Sequence, residues 1–164
     1  MSALALKENP VIFHDGIHPD VAALNFEKLV WKMTEKDKKM SVERCRMAER
    51  EYRRFLTLKK LYPGVDLVPS KLIDAFWHEH ILDTRAYRED CERVFGHFLD
   101  HYPYFGIHDD QDYQNLVRAF ERTKGLYEKH FGPYPEEKTA AARCAGHACH
   151  VPSECACRVP GACK

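Results

Sequence analysis

Near its middle the chain reads Asp74-Ala75-Phe76-Trp77-His78-Glu79-His80-Ile81-Leu82-Asp83. These ten residues carry two imidazoles, one indole and three carboxylates. His97 and His101 follow, so that four of the chain's ten histidines lie between positions 78 and 101. Such a concentration of proton-binding and metal-binding side chains indicates that this stretch is the polar centre around which the rest of the chain folds.

The spacing within the stretch predicts which of these side chains are neighbours. Ser70 is a favourable N-cap, and we expect a helix over residues 71–82. Residues four apart lie on the same face of a helix, so Asp74 and His78 are expected to lie side by side. His80 lies about 200° around the helix axis from His78, so the two imidazoles are expected to point in different directions.

A metal centre is the sharper of two interpretations of this pattern. His97 and His101 are also four residues apart, which predicts a helical turn over residues 97–102 with both rings on one side. Helical bundles build metal sites from ligands that project inward from facing helices, so we expect the pair Asp74 and His78 to meet one or both of these rings. Two imidazoles and a carboxylate suit iron(II). Three imidazoles and a carboxylate equally suit zinc.

Other side chains of the region are candidates for supporting roles. If the centre is catalytic, His80 or His97 is a fourth ligand or a general base, and Tyr87 lines the pocket. Glu79 points away from the ligand face and either supports a ligand or is solvated. The competing interpretation is a structural network, because a buried histidine bonded to an aspartate satisfies both polar groups. The residues alone leave both interpretations open.

The pattern of apolar residues predicts an all-α fold, a single compact bundle of about five to six helices. Apolar residues recur near helical spacing in the segments before and after the central stretch, and strand alternation of useful length is absent. Cys45 lies on one of the apolar faces and is expected to be a buried thiol. Pro63-Gly64 is the clearest break in the pattern. We expect helices over residues 20–33, 41–62, 71–82, 85–95 and 110–130.

The chain divides into three parts with different compositions. Residues 1–19 form an irregular arm with proline and glycine breakers, residues 20–135 form the helical domain, and residues 136–164 form a polar linker and a tail rich in cysteine and histidine. At 164 residues the chain is long enough for one domain with its own core.

Charge and hydropathy exclude some partners. The 25 basic and 25 acidic residues balance, so there is no electrostatic reason to expect nucleic acid or a membrane surface as a partner. Residues 1–10 lack the basic and apolar regions of a signal peptide. No run of residues approaches the roughly 18 apolar residues of a membrane span. We therefore expect a cytoplasmic protein, whose cysteines stay reduced or bind metal.

The tail is a second concentration of metal ligands. Few large apolar side chains accompany these residues, so order in the tail requires a metal or cross-links. The spacing matches no standard zinc finger. Binding of zinc or copper(I), a disulfide-bonded or redox-active tail, and an unstructured tail that is a substrate for modification are the three alternatives. The ligand candidates are Cys144, His147, Cys149, His150, Cys155, Cys157 and Cys163.

The central motif also resembles that of a known family. The N-terminal domain of the plant glycine-rich-domain-containing proteins, which also occurs in small bacterial proteins, is similar over roughly residues 20–130. The resemblance implies that its shared positions form one motif, and it implies no activity, because that domain has no known function. The chain lacks the glycine-rich region of the plant proteins. The motif consists of Asp74-x-x-Trp77-His78-x-His80, then Tyr87, Asp90-Cys91, Gly96 and His101.

Three functions are compatible with these patterns. The first is a transition-metal-binding helical protein, which is a metalloenzyme if its His/Asp centre activates water or dioxygen. The second is a non-catalytic metal-handling protein that captures thiophilic ions through its tail. The third is a protein-interaction module, in which Trp77 and His78 belong to a structural core and the tail meets a protein partner.

Overall fold

The order of the helices establishes the architecture. The computed structural model describes residues 13–135, and in this range the prediction of an all-α bundle is confirmed. An isolated β-bridge joins His14 and Ile17 ahead of the first helix. The helices are α1 (Pro19–Ala22), α2 (Glu27–Trp31) with a π-helical extension (Lys32–Lys36), α3 (Val42–Leu61), α4 (Lys71–Leu82), α5 (Thr84–Phe95) and α6 (Asp110–Phe131).

Side-chain caps determine where the long helices begin. The Ser41 hydroxyl accepts a hydrogen bond from the Arg44 N–H at 3.2 Å, and this starts α3. The Ser70 hydroxyl accepts from the Ile73 N–H at 3.2 Å and starts α4 in the same way. Each cap satisfies a backbone donor that has no partner inside the helix. The bounds of α4 are therefore those that the sequence predicts.

The core lies around α3, which packs against α4, α6 and both short N-terminal helices. Buried aromatic residues dominate it, with Tyr52 and Phe55 from α3 facing Phe76 and Trp77 from α4. A smaller apolar cluster lies between α6 and the segment before α4. None of the helices in residues 13–135 has both the length and the apolar composition needed to cross a membrane.

The first predicted helix is broken in two. The Arg53 guanidinium, from α3, donates hydrogen bonds to the carbonyls of Val21 and Leu24 at 2.7 and 2.9 Å. These bonds satisfy backbone acceptors at the end of α1 that have no partner within the helix. The Asn25 side chain then accepts from the Glu27 N–H at 3.0 Å, and α2 begins there. The prediction of one continuous helix is wrong because a residue distant in sequence caps its middle.

The predicted helical turn over residues 97–102 is also wrong. Gly96 ends α5 with a φ of 72°, a left-handed conformation that glycine adopts at little cost. The chain is irregular from there through Tyr102. Pro103 disfavours a helical conformation for the residue before it. His97 and His101 therefore do not share a helical face.

Candidate metal centre

The orientation of α4 about its own axis places Asp74 and His78 at the edge of the core. Phe76 and Trp77 are buried and fix how the helix packs. Asp74 is mostly buried, whereas the His78 side chain is 52% exposed. The pair thus occupies one face of α4 at the boundary between the core and solvent, where a ligand has access.

A chain of hydrogen bonds brings His101 to the same face. The Trp77 indole N–H donates to the Tyr87 hydroxyl at 2.9 Å, and that hydroxyl donates to the Leu99 carbonyl at 2.5 Å. These bonds fasten the segment after α5 to α4. The His101 ring then packs on the Trp77 indole, with 4.4 Å between ring centroids. Buried groups therefore determine the position of His101, although it lies in irregular chain.

Asp74, His78 and His101 form a compact group of ligand atoms, which we call the triad. The Nε2 atom of His101 lies 2.7 Å from Oδ1 of Asp74, and Nε2 of His78 lies 3.4 Å from Oδ2. The two Nε2 atoms are 3.2 Å apart. One ligand atom from each residue lies within 4.8 Å of the others, and no other group of His, Cys, Asp and Glu in residues 13–135 has this spacing.

While Asp74 is ionised, protons alone do not make all three contacts of the triad attractive. A nitrogen of a neutral imidazole is either a donor or an acceptor. If both Nε2 atoms carry protons for the carboxylate, two N–H groups face each other across 3.2 Å. If one atom lacks its proton, a lone pair faces the carboxylate instead. A cation placed between the three atoms makes every contact attractive.

The distances suit a first-row transition metal. Zinc binds imidazole nitrogen at about 2.0–2.1 Å and carboxylate oxygen at about 2.0–2.2 Å. Two such ligands at an angle of about 90–110° are therefore roughly 3.0–3.4 Å apart. The contacts of His78 with His101 and with Asp74, 3.2 and 3.4 Å, fall in this range. The 2.7 Å hydrogen bond between His101 and Asp74 must lengthen by a few tenths of an ångström to admit an ion.

A cleft of about 340 Å³ opens beside the triad. Asp74, Trp77 and His101 form part of its wall, so two of the three triad residues face it. The volume is near the lower end of the range for small-molecule pockets, roughly 300–1,000 Å³. The remaining lining is mainly apolar with three charged residues: Leu67, Val68, Pro69, Tyr102, Phe105, Leu116, Lys59, Asp66 and Asp100.

Two of the predicted site residues have other roles in the structure. His97 is exposed, and its Nδ1–H donates to the carbonyl of the adjacent Phe98 at 2.9 Å. Tyr87 is buried, and burial raises the pKa of its hydroxyl far above the usual range. Its hydroxyl holds Trp77 and the segment leading to His101 together. The structure thus brings neither His97 nor the Tyr87 hydroxyl into the triad.

His80 belongs to a separate buried network. Its Nδ1 atom lies 2.9 Å from the Tyr52 hydroxyl, and its Nε2 atom lies 3.0 Å from Oδ2 of Asp90. The residue is 4% exposed, and both ring nitrogens are engaged. His80 therefore links α3, α4 and α5, which is the arrangement expected of a structural histidine rather than a ligand.

Glu79 neither supports a triad residue nor is solvated, so both predictions for it are wrong. Its carboxylate is buried and accepts hydrogen bonds from Lys32, at 2.6 Å, and from Lys39. Burial acts to raise the pKa of this carboxyl, but the hydrogen bonds and charges of the two lysines outweigh burial and lower it. Two lysines that are distant in sequence thus bind and cover the Glu79 carboxylate, whose role the local sequence pattern does not determine.

Lys59 also lines the cleft, although it is not among the site residues that the sequence predicts. The signal that could have found it is its place four residues after Phe55, on the apolar face of α3. Its Nζ lies 5.8 Å from the centroid of the Phe55 ring. Burial lowers the pKa of the Lys59 ammonium, and the Asp66 carboxylate acts in the opposite direction.

The cysteines of the helical domain are not ligands of the triad. Cys45 and Cys91 are free and buried, and burial raises the pKa of both thiols. The prediction of a buried thiol at Cys45 is confirmed. The ligand candidates of the tail, from Cys144 to Cys163, lie outside the described residues.

Fold and site together define a small all-α protein with a partly exposed His/Asp cluster beside a cleft. The family model described as UCP032817-like matches residues 21–129, and the chain belongs to this family. The resemblance to the plant glycine-rich-domain-containing proteins is wrong, because the match is to this family and a few Trp, His and Asp positions are too short a pattern to identify another. Neither a curated protein nor a solved structure matches the chain.

Proposed function

We propose that this protein binds a divalent transition metal ion through Asp74, His78 and His101. The observation that carries the proposal is the convergence of three ligand atoms within 4.8 Å of one another, with two Nε2 atoms directed at each other and at one carboxylate. Two imidazoles and one carboxylate form the ligand set of non-haem iron(II) sites, and zinc enzymes use it as well. Iron(II) and zinc are therefore the ions to test first.

The arrangement favours a metalloenzyme over a structural site. Structural zinc sites are closed by four protein ligands, whereas catalytic sites keep a coordination position open for water or substrate. Residues 13–135 supply three ligands, and the cleft provides room for a small molecule next to two of them. A metal held in this way supplies Lewis acidity to whatever occupies the cleft.

The protein's own contribution is to fix the ligands before the ion arrives. Trp77 and the hydrogen-bonded Tyr87 hold His101, and the packing of α4 holds Asp74. His78 is the exposed member of the triad and is free to adjust as the ion binds. Ligands held in advance by packing and hydrogen bonds lose less entropy when the metal binds.

The test measures metal binding in the full chain with the tail ligands removed by substitution. Replacing the five tail cysteines with serine, and His147 and His150 with glutamine, leaves the triad as the predicted site. After equilibrium dialysis against zinc, or against iron(II) without oxygen, elemental analysis should give one ion per chain. Asp74→Asn, His78→Ala and His101→Ala should each lose that ion.

His97→Ala is the matched control for these variants. His97 is an exposed histidine close to His101 in sequence. Within residues 13–135 its ring forms a hydrogen bond only with the Phe98 carbonyl, so the variant should keep the ion. Full occupancy in both His78→Ala and His101→Ala would contradict the proposal. Failure of the folded parent chain to take up either ion, with a native far-UV circular dichroism spectrum, would also contradict it.

A second metal site in the tail is a separate proposal, favoured by five cysteines and two histidines within residues 144–163. Thiolates select zinc and copper(I), and the reduced thiols that they require are those of a cytoplasmic protein. The intact chain should bind at least one more ion than the chain with the substituted tail. Equal metal content in the two chains would contradict this second site.

A further inference from the structure

We infer that the cleft beside the triad binds a small monocarboxylic acid, with its carboxylate on the Lys59 ammonium and its apolar body between Trp77 and Phe105. The inference rests on the proposed metal centre for one point only, namely that the far end of the acid lies beside the ion. The Lys59 contact itself does not depend on the metal.

Lys59 has no anionic partner of its own among the described residues. Within residues 13–135 its ammonium forms no hydrogen bond and no ion pair, and Asp66 influences it without reaching ion-pair distance. The neighbouring Lys60 differs, since it donates to the Val94 carbonyl. A partly buried ammonium without a counter-charge is costly, and burial accordingly lowers the pKa of Lys59. An anion in the cleft would remove this cost.

The lining of the cleft suits a ligand with an apolar body. Seven apolar or aromatic side chains line the cleft, and two of them, Trp77 and Phe105, offer broad apolar surfaces. Small-molecule pockets are mostly apolar, with few polar groups that fix the orientation of the ligand. A volume of about 340 Å³ suits a single small molecule rather than a peptide segment.

The charges around the cleft favour one kind of anion. Three carboxylates line the cleft: the exposed Asp66 and Asp100, and the mostly buried Asp74 of the triad. Their charges repel a second carboxylate or a doubly charged phosphate. Phosphate recognition also requires several donors, commonly from arginine, and the cleft offers one ammonium. A singly charged carboxylate therefore fits the charges of the cleft better than phosphate or a dicarboxylate.

The experiment uses the full chain and Trp77 fluorescence. Trp31 is the other tryptophan of the chain and is exposed, so Trp31→Phe leaves Trp77 as the reporter in the cleft wall. Benzoate and hexanoate are the probes, and benzamide is the neutral molecule of matched shape. Each is titrated into zinc-loaded and metal-free protein, and zinc content is measured in the same samples.

At least one of the two acids should bind saturably, and benzamide should bind at least about tenfold more weakly than benzoate. Lys59→Met should weaken binding of the acid about tenfold or more, as expected for loss of a charge-assisted hydrogen bond. Lys59→Arg keeps the charge and should retain part of the affinity. Lys71→Met is the control, because Lys71 is exposed on α4 and does not line the cleft.

Two results would overturn the inference. One is an unchanged affinity in Lys59→Met with a native circular dichroism spectrum. The other is the absence of saturable binding of both acids at concentrations on the order of 10 mM. The zinc measurements separate this failure from failure of the metal proposal. If the acid binds at Lys59 in protein that takes up no zinc, the carboxylate site is supported and the metal centre is not. If the protein takes up zinc but binds neither acid, the metal centre is supported and the carboxylate site is not.

Discussion

Trp77 and Tyr87 are joined by a hydrogen bond of 2.9 Å inside the core. The same Tyr87 hydroxyl donates to the Leu99 carbonyl, so that one phenol links α4, α5 and the segment leading to His101. All three of these residues are buried, and water does not readily replace the hydroxyl. The position of one proposed ligand thus depends on a residue that is not itself a proposed ligand.

Removing this hydroxyl should affect both stability and metal affinity. Tyr87→Phe leaves the Trp77 N–H and the Leu99 carbonyl without their partner, and the free energy of unfolding should fall by about 1–3 kcal/mol. Zinc affinity should fall by about tenfold or more, as for other groups that orient a ligand. Urea unfolding of the metal-free chain and a zinc titration measure the two effects. Tyr104→Phe, at a residue that is 53% exposed, should change stability by less than about 0.5 kcal/mol. Equal effects of the two substitutions would contradict this role of Tyr87.

His78 and His101 should differ in their effect on the metal-free protein. His101→Ala removes both the packing on Trp77 and the hydrogen bond to Asp74, so it should cost about 1–3 kcal/mol of stability. His78 is half exposed, and His78→Ala should cost less than about 0.5 kcal/mol. Urea unfolding without metal checks this difference, and equal costs would contradict it.

Both substitutions should nevertheless abolish stabilisation by zinc. A ligand that binds only the folded state stabilises it by about 2.7 kcal/mol at a hundred times its dissociation constant. The chain with the substituted tail should show an increase of this kind when zinc is added, and the two histidine variants should not. Full stabilisation of His78→Ala by zinc would contradict its role as a ligand.

The part of the site that lies within one helix could be predicted from the sequence. Ser70 as a cap fixes where α4 starts, and the four-residue spacing then places Asp74 beside His78. The start of α4 and the pairing of Asp74 with His78 both depend on residues that are close together in the chain. Helical geometry alone determines which of these residues are neighbours. The choice of His101 over His97 could not be predicted, because it depends on Gly96 ending α5 and on the bond from Tyr87 to Leu99.

The remaining misses share the same physical origin. Arg53, which breaks the first predicted helix, is about thirty residues away from it in sequence. Lys39, which binds Glu79, is 40 residues away from Glu79 in sequence. Lys59 enters the cleft because segments from three parts of the chain enclose it. Spacing arguments do not find the contacts of Arg53 and Lys39, because these contacts form only in the folded state. For Lys59, spacing gives its place on the apolar face of α3 but not the cleft that forms there.

Gly106 follows the cleft residue Phe105 and packs against a second cleft residue, Leu116, so it should be hard to replace. Its φ is 86°, and a Cβ added there would lie 2.6 Å from Cδ2 of Leu116. Gly64 has a similar φ of 78° but open space around it, so Gly64→Ala is the matched control. Gly64→Ala should cost about 1–2 kcal/mol through its left-handed backbone. Gly106→Ala should cost a further 1–3 kcal/mol or so, because Leu116 must move. Urea unfolding measures both, and equal costs would contradict the close packing of Gly106.

His130 should make the stability of the helical domain depend on pH. Its Nε2 atom lies 2.7 Å from the Tyr62 hydroxyl, and burial together with the charge of Lys129 lowers the pKa of the imidazole. The unfolded chain has the ordinary histidine pKa of about 6.5, so below this pH the unfolded state binds more protons at His130 than the folded state does. The contribution of neutral His130 is therefore complete above about pH 6.5 and is lost as the pH falls through the lower folded-state pKa.

The wild-type chain should thus lose more stability than His130→Asn between about pH 7.5 and pH 5. Urea unfolding of both chains at the two pH values measures the loss. The other nine histidines are common to both chains, so the difference between the two pH dependences isolates His130. The same loss in His130→Asn as in the wild type would show that His130 titrates equally in the folded and unfolded states.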